Sequence, residues 1–322
     1  MEETTENQPT ARRGQTMPLV SVIIPNYNHA RYLTERIGSV LAQDYPNFEV
    51  IILDDASTDN SREVINAFSS DPRVVRVVFN EANSGNTFLQ WKKGFALARG
   101  EYIWIAESDD TAAPTFLSAV MAKILEAGSG VVLGFSGSYL IDSRGDRLEE
   151  DWERRVPYPR RSVFEGEKFV RTFLLLRNKL YNASMVVFRR DAIPAVDETY
   201  LSLPHCGDWL FWAEVCRQGR VVRVREKLNS FRQHKHKVSV HAKKTGLNNV
   251  ETRRVREFLL ERVVLSAYDM RVLRGYHRRH KSKDKCPASE VPAHFAQIYQ
   301  GTLLDVFVYE FDKVTGLSGI KK

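Results

Sequence analysis

Four short apolar runs dominate the first third of the chain: Leu19–Ile24, Phe48–Leu53, Val74–Phe79 and Glu101–Ile105. They are rich in β-branched residues and mostly lack the polar alternation of a half-exposed strand, so they read as strands covered on both faces. Between them the apolar residues change to helical spacing. In Ala30–Ala42 a single face carries Leu33, Ile37, Val40 and Leu41. Ser61–Phe68 follows Asn60, which stands three residues before Glu63 in a pattern like a capping box, and Thr87–Ala98 is a further helix. Pro114 suits the first turn of another, reaching to about Leu125. Covered strands alternating with helices predict a doubly wound, mostly parallel α/β sheet.

Residues 131–141 and 183–190 supply more strands, separated by a polar, Arg-rich stretch, Glu149–Ser162. Asp208–Arg217 reads as a short helix and Arg220–Val224 as a strand. Beyond Ser239 the pattern turns helical, with Thr252–Tyr276 and Ala293–Asp312 joined by a Lys/Arg-rich loop. The expected organisation is a disordered lead over 1–17, an α/β domain over 18–239 and a basic helical extension over 240–322.

Charge follows the same division. The net +7 arises from 47 basic and 40 acidic side chains, but residues 1–239 hold 31 of each. The whole excess therefore lies in the extension, and the α/β part is neutral. Hydrophobic residues at 43% are enough for a full core, which excludes a disordered or collagen-like chain. Cys206, Cys216 and Cys286 form no CxxC pair, so neither a disulfide scaffold nor a zinc module is expected. No signal-peptide core precedes Thr16 and no apolar run reaches membrane-spanning length, which predicts a cytoplasmic protein.

Acidic residues cluster where two of the strands end. The second runs into Asp54-Asp55-Ala56-Ser57-Thr58-Asp59, the fourth into Glu107-Ser108-Asp109-Asp110. Open α/β sheets bind ligands outside the carboxyl ends of their strands, so both clusters should border one crevice. Several converging carboxylates do not all ionise without a partner, and a hard divalent cation, Mn²⁺ or Mg²⁺, supplies one. Helix capping and loop solvation would explain either cluster alone. The first strand is followed by Pro25-Asn26-Tyr27-Asn28 rather than GxGxxG, and no GxxxxGK[ST] occurs. A dinucleotide dehydrogenase and a P-loop enzyme are thereby disfavoured.

The run from Val20 through Pro25, Tyr27 and Asn28, Ser39–Gln43, Asp54–Asp59, Asn83–Gly85, Ala98–Ile103, Trp104–Asp110, Gly207–Trp209 and Phe231–His234 resembles family 2 glycosyltransferases in order and content. The resemblance covers about residues 18–239 and implies a GT-A-type, Rossmann-like fold and an inverting, hexosyltransferase-type activity. By position it implies that Pro25, Tyr27, Asn28, Asp54, Asp55, Glu107 and Ser108 border the nucleotide, with Asp55 accepting hydrogen bonds from the base. Asp109, Asp110 and His234 would lie at the metal, and Asp208 would be the catalytic base. Two departures stand out: Glu107 occupies the first position of the family's DxD motif, and Gly207 replaces the frequent Glu before the base. The implied partners are a nucleotide-sugar donor and a glycan or lipid-linked acceptor in surface polysaccharide assembly.

Plainer roles accompany each residue. Asp208 could merely cap its helix, His234 and His236 could be solvent-exposed, and Trp209 and Trp212 suit packing. Asn182-Ala183-Ser184 would border the acceptor, while Gln90 and Trp91 carry no assigned role. In the extension, Phe258, Leu259, Val263, Leu265 and Leu273 form one apolar face, and Leu303, Leu304, Val306, Phe307 and Phe311 another. Both are expected to pack on the α/β domain or on each other. Arg271, Arg274, Arg278, Arg279, Lys281, Lys283 and Lys285 face only Asp284 in their own segment, a run that could rest on anionic lipid. Nucleic acid is disfavoured, because no aromatic platform is interleaved with these charges. Two other functions fit the composition: a sugar nucleotidyltransferase, against which the lack of a Gly-rich basic loop speaks, and a non-catalytic sugar-nucleotide-binding protein.

Overall fold

A computed structural model describes residues 17–152, 162–235, 242, 244–280, 299–315 and 317–320. The expected lead up to Thr16, most of the Arg-rich stretch, His236, the three lysines 281, 283 and 285, Cys286 and the start of the helix expected at Ala293 lie outside the described residues.

The chain begins β1 (Val20–Asn26), α1 (Ala30–Leu41), β2 (Phe48–Asp54), α2 (Ser61–Phe68), β3 (Val74–Phe79), α3 (Thr87–Leu97) and β4 (Tyr102–Ile105). It continues with β5 (Thr111–Ala112), α4 (Phe116–Ala127), β6 (Val131–Ile141), β7 (Val163–Glu165) and α5 (Gly166–Phe169). Then come β8 (Val186–Arg189), α6 (Gly207–Arg217) and β9 (Arg220–Arg232), and finally α7 (Leu247–Arg262), α8 (Ala267–Arg279) and α9 (Leu303–Thr315). The strands form one nine-stranded sheet in the order β3-β2-β1-β4-β8-β6-β9-β5, with β7 on β9. β1 pairs in parallel with β2 and β4, β2 with β3, and β6 with β9. β8 runs antiparallel between β4 and β6, so the sheet is mostly rather than wholly parallel.

Every residue of β1, β2 and β4 is buried, as their apolar runs predict. Two apolar layers sandwich the sheet. One, around Val22, Ile37, Ile52 and Phe116, lies under α1 and α4; the other, around Trp91, Phe188, Phe211 and Trp212, lies under α3 and α6. Val255 and Leu259 of α7, Val272 and Tyr276 of α8 and Tyr309 of α9 belong to the second layer. The apolar core is therefore continuous across the boundary expected at residue 239.

Several details differ from the sequence reading. The single helix expected over Thr252–Tyr276 breaks into α7 and α8, because Ser266 and Asp269 close a reciprocal capping box that restarts the chain. Asn60 makes no side-chain cap on α2; Asp59 accepts from the Ser61 amide and hydroxyl instead. β9 runs on from Val224 to Arg232, since β5 and the far half of β6 pair with it. α9 is turned about its axis relative to expectation. Asp305, Tyr309 and Asp312 face inward, while Leu303, Phe307 and Phe311 are 76%, 68% and 49% exposed. Asp305 draws the helix in by accepting from Arg271 and Arg274 of α8, and Gly275 permits contact so close that a Cβ there would sit 2.0 Å from the Asp305 carbonyl oxygen. With Arg279 paired to Glu310, three arginines of the basic run face acids of α9 rather than open surface.

Candidate active site

The ends of β1 and β2 are tied to each other by side chains. Asn26 lies opposite Asp54 in the parallel register and donates to its Oδ1 at 2.7 Å, while the Ser57 hydroxyl and amide donate at 2.6 and 3.0 Å. Asp54, only 2% exposed, thus fastens two strand ends and is directed into the fold. Asp55 accepts from Asn80 Nδ2 (2.7 Å), Ser84 Oγ (2.7 Å) and Gln90 Nε2 (2.8 Å), so Gln90 acquires a role that the sequence reading had not assigned it. A base bound at Asp55 would share a carboxylate already engaged with the 80–90 segment. Pro25 is buried within β1, whereas Tyr27 is 45% exposed at the rim. Asn28 adopts φ 55° and Ala56 φ 59°, the left-handed region. Asparagine tolerates it, and for alanine it costs on the order of 1 kcal/mol. Asn28 offsets the cost by donating its amide to Ser57 Oγ and accepting from the Thr58 amide, each within 2.9 Å.

The second acidic segment leaves β4 and is carried by β5 against Asn229 and Ser230 of β9. This pairing brings Asp109 beside the residues that follow β9. Asp109 Oδ2 stands 2.9 Å from His234 Nε2. His29 joins them: its ring lies edge-on to that of His234 at 5.5 Å, and its Nδ1 is 2.8 Å from Ser108 Oγ. His29, Asp109 and His234 each bring a donor atom within 4.8 Å of the other two. His29 escaped the sequence reading, although it directly follows the Pro25–Asn28 run.

Asp110 departs from the metal-ligand role expected for it. It is 1% exposed, and its carboxylate accepts from Asn182 Nδ2 (2.7 Å), Ser184 Oγ (2.8 Å) and the Arg232 amide (2.9 Å). The fully buried Arg36 guanidinium lies 3.9 Å away. Ser184 is the hub of this bracket. Besides donating to Asp110, its hydroxyl accepts from the Glu107 amide and from Arg36, which uses every bond a hydroxyl can make. Asn182 and Ser184, expected to border the acceptor, hold the acidic loop in place. Glu107 turns inward to accept from Trp91 Nε1 at 3.0 Å. Burial, then the negative charges of Asp109 and Asp110, push its carboxyl up to about 8. Trp91 also packs on Phe211 and Trp212 of α6, so one indole links the acidic loop to the helix of the expected base.

Asp208 stands in the first turn of α6. Its Oδ1 accepts from the Trp209 amide (2.7 Å) and its Oδ2 from Asn178 Nδ2 (2.9 Å), a partner not foreseen from the sequence. Desolvation outweighs these two bonds and raises the carboxyl to about 7. Gly207 explains its own departure from the family's Glu. A Cβ there would lie 2.4 Å from the Tyr200 carbonyl oxygen and 2.5 Å from the Phe88 ring, leaving no room for a side chain. Trp209 and Trp212 pack into the core as expected, and Trp209 donates its indole N–H to the Leu174 carbonyl.

Similarity to known proteins covers the part of the chain that carries both acidic loops. The profile of glycosyl transferase family 2 matches residues 21–192. Glycosyltransferase GlyG of Streptococcus pneumoniae is 39% identical over 116 residues, covering 36% of this chain and 38% of that protein. TuaG of Bacillus subtilis, named for teichuronic acid biosynthesis, is 33% identical over 133 residues, covering 41% and 52%. The chain thus spans less than two thirds of these two relatives. The structure of residues 1–349 of TarS from S. aureus shares the fold over 92% of this chain and 82% of that one, with a TM-score of 0.60 at 20% identity. The profile stops short of Asp208 and His234, yet it takes in more than half of the chain and both acidic loops. The chain therefore belongs to glycosyl transferase family 2, with a fold of the GT-A type.

Proposed function

We propose that the chain transfers a sugar from a nucleotide-diphosphate donor to an acceptor hydroxyl with inversion, using a divalent cation. The observation that carries this reading is the convergence of His29, Asp109 and His234, which follow β1, β4 and β9 respectively. Such strand ends are where open α/β sheets bind ligands. Two imidazoles and one carboxylate suit Mn²⁺ better than Mg²⁺, which favours an all-oxygen shell. A cation held there would neutralise charge on the departing diphosphate.

The protein's own groups do the rest. A sugar hydroxyl is a weak nucleophile, and Asp208 takes its proton as it attacks the anomeric carbon. A carboxyl near pH 7 is matched to that task, being largely ionised at slightly alkaline pH yet still a useful base. Asn178 and the Trp209 amide fix its orientation. Tyr27, exposed at the rim, would cover the base, while Asn28, Asp54 and Asp55 shape the loop on which the nucleotide rests. The acceptor we propose is a glycan or lipid-linked glycan of a surface polysaccharide, reached from the cytoplasmic face, a reading supported by the relative named for teichuronic acid biosynthesis. Among the described residues no helix is long and apolar enough to cross a membrane. Peripheral contact through 271–285 would be checked by flotation with anionic liposomes at low salt.

The test is nucleoside diphosphate release from UDP-, GDP- and dTDP-linked sugars with and without Mn²⁺. Asp109→Ala should abolish Mn²⁺-dependent donor binding in calorimetry. Binding that is unchanged by removal of either the metal or Asp109 would overturn the assignment.

A further inference from the structure

We propose that α7, which lies beyond the residues matched by the family profile, positions the catalytic base, with Glu251 and Arg256 as the positioning residues. The inference rests on the assignment of Asp208 as that base. Glu251 is 1% exposed, and its Oε2 accepts from two consecutive backbone amides, His205 (2.9 Å) and Cys206 (2.7 Å). These residues immediately precede Gly207 and Asp208. Amides at a helix start have no acceptor within the helix, so a carboxylate placed there both satisfies them and favours the positive end of the helix dipole.

Arg256 grips the opposite side. Its Nε and Nη2 donate to the Leu176 carbonyl oxygen at 3.1 and 2.9 Å, two residues before the Asn178 that holds Asp208 Oδ2. One helix therefore fixes the turn that carries the base and the turn that carries its hydrogen-bond donor. Asn248 Oδ1, 2.9 Å from His205 Nε2, adds a third contact. Val255 and Leu259, both fully buried, seat α7 in the same apolar layer as Trp209 and Phe211. The buried charge of Glu251 also contributes to the raised Asp208 carboxyl. Loop-borne catalytic groups lose rate steeply when displaced by an ångström, and Asp208 at the head of α6 is protected from that by this clamp.

The experiment compares Glu251→Ala, Glu251→Gln and Asp208→Asn in the full chain, following nucleoside diphosphate release from UDP-, GDP- and dTDP-sugars with Mn²⁺. Glu251→Ala should lower kcat at least ten-fold while donor KM stays within two-fold. Glu251→Gln keeps an oxygen for both amides, so it should restore kcat at pH 8 and move the acid limb of the pH–rate profile to lower pH. A folded Glu251→Ala variant with unaffected kcat would overturn the proposal, as would equal losses in kcat and in active fraction. Where Glu251→Ala does not fold, a Glu251→Gln profile with an unmoved acid limb overturns it. Asp208→Asn separates the two assignments. If it turns over normally, the base assignment fails and takes the clamp's function with it; if it is dead while both Glu251 variants behave as wild type, the clamp alone fails.

Discussion

Replacing Asp208 by asparagine should make the protein inactive and, at alkaline pH, more stable. Burial holds the carboxyl at about 7 against an ordinary value of 3.8. A group whose folded value is raised disfavours folding once it must ionise, so the cost grows from about pH 4 and is complete above pH 7. Three pH units correspond to about 4 kcal/mol, and partial exposure of the side chain reduces this to roughly 2–3 kcal/mol. The substituted side chain would keep the bond from the Trp209 amide, but its amide nitrogen would meet Asn178 Nδ2, losing one bond worth about 1 kcal/mol. The variant should therefore be more stable than wild type by about 1–2 kcal/mol at pH 8.5 and less stable by about 1 kcal/mol at pH 4. Urea unfolding at both pH values measures the difference, and nucleoside diphosphate release should fall by about 10²- to 10⁴-fold. An equal stability change at the two pH values would refute the idea that wild type carries a costly buried charge at this position.

With wild type, turnover should rise with pH through an inflection near 7, as ionisation of Asp208 supplies the base; a flat profile between pH 6 and 8 would contradict this. His29→Ala should weaken Mn²⁺ binding ten- to a hundred-fold in paramagnetic resonance titrations without donor, whereas no change would leave Asp109 and His234 as the only ligands of the three. Asp305 is held down to about 2 because bonds from Thr302, Arg271 and Arg274 overcome its burial. Its lowered value gives stability that is present above about pH 4 and lost as the pH falls through 2, so Asp305→Asn should loosen α9 by about 2 kcal/mol at neutral pH. Hydrogen exchange over Leu303–Thr315 would show that loosening, and unchanged protection would argue that the bonds contribute nothing.

The sheet was legible because each strand's surroundings are written into its own residues. Residues 131–141 form a strand with the expected limits and almost every residue buried, whereas Val74–Phe79 has the expected limits but, as the edge strand of the sheet, has no buried residue, so its expected cover on both faces is not met. The acidic loops were equally visible as a place, but not in how their members divide the work. Asp109 reaches His234 while its neighbour Asp110 is turned into a bracket of Asn182, Ser184 and Arg36. That choice depends on partners 72 and 74 residues away, and no local spacing reveals it. Asn178 and Glu251 stayed hidden for the same reason. Ser266-x-x-Asp269, by contrast, was in plain view as a capping pair, and the apolar residues Val263, Leu265 and Leu273 on either side of it led the reading past it. On α9, apolar spacing pointed to the wrong face because two aspartates, one bonded to Arg271 and Arg274 and the other to Ser318, decide which side is drawn inward.

The clamp on Asp208 also carries a consequence for the order in which the protein becomes an enzyme. Glu251 and Arg256 follow β1, β4 and β9 in the chain, so the residues proposed to hold the cation are synthesised before those proposed to clamp the base. Because Val255, Leu259, Val272 and Tyr276 complete the apolar layer that also holds Trp209 and Phe211, chain lost from the carboxyl end before residue 251 would take part of the core away with the clamp, and stability and turnover should fall together.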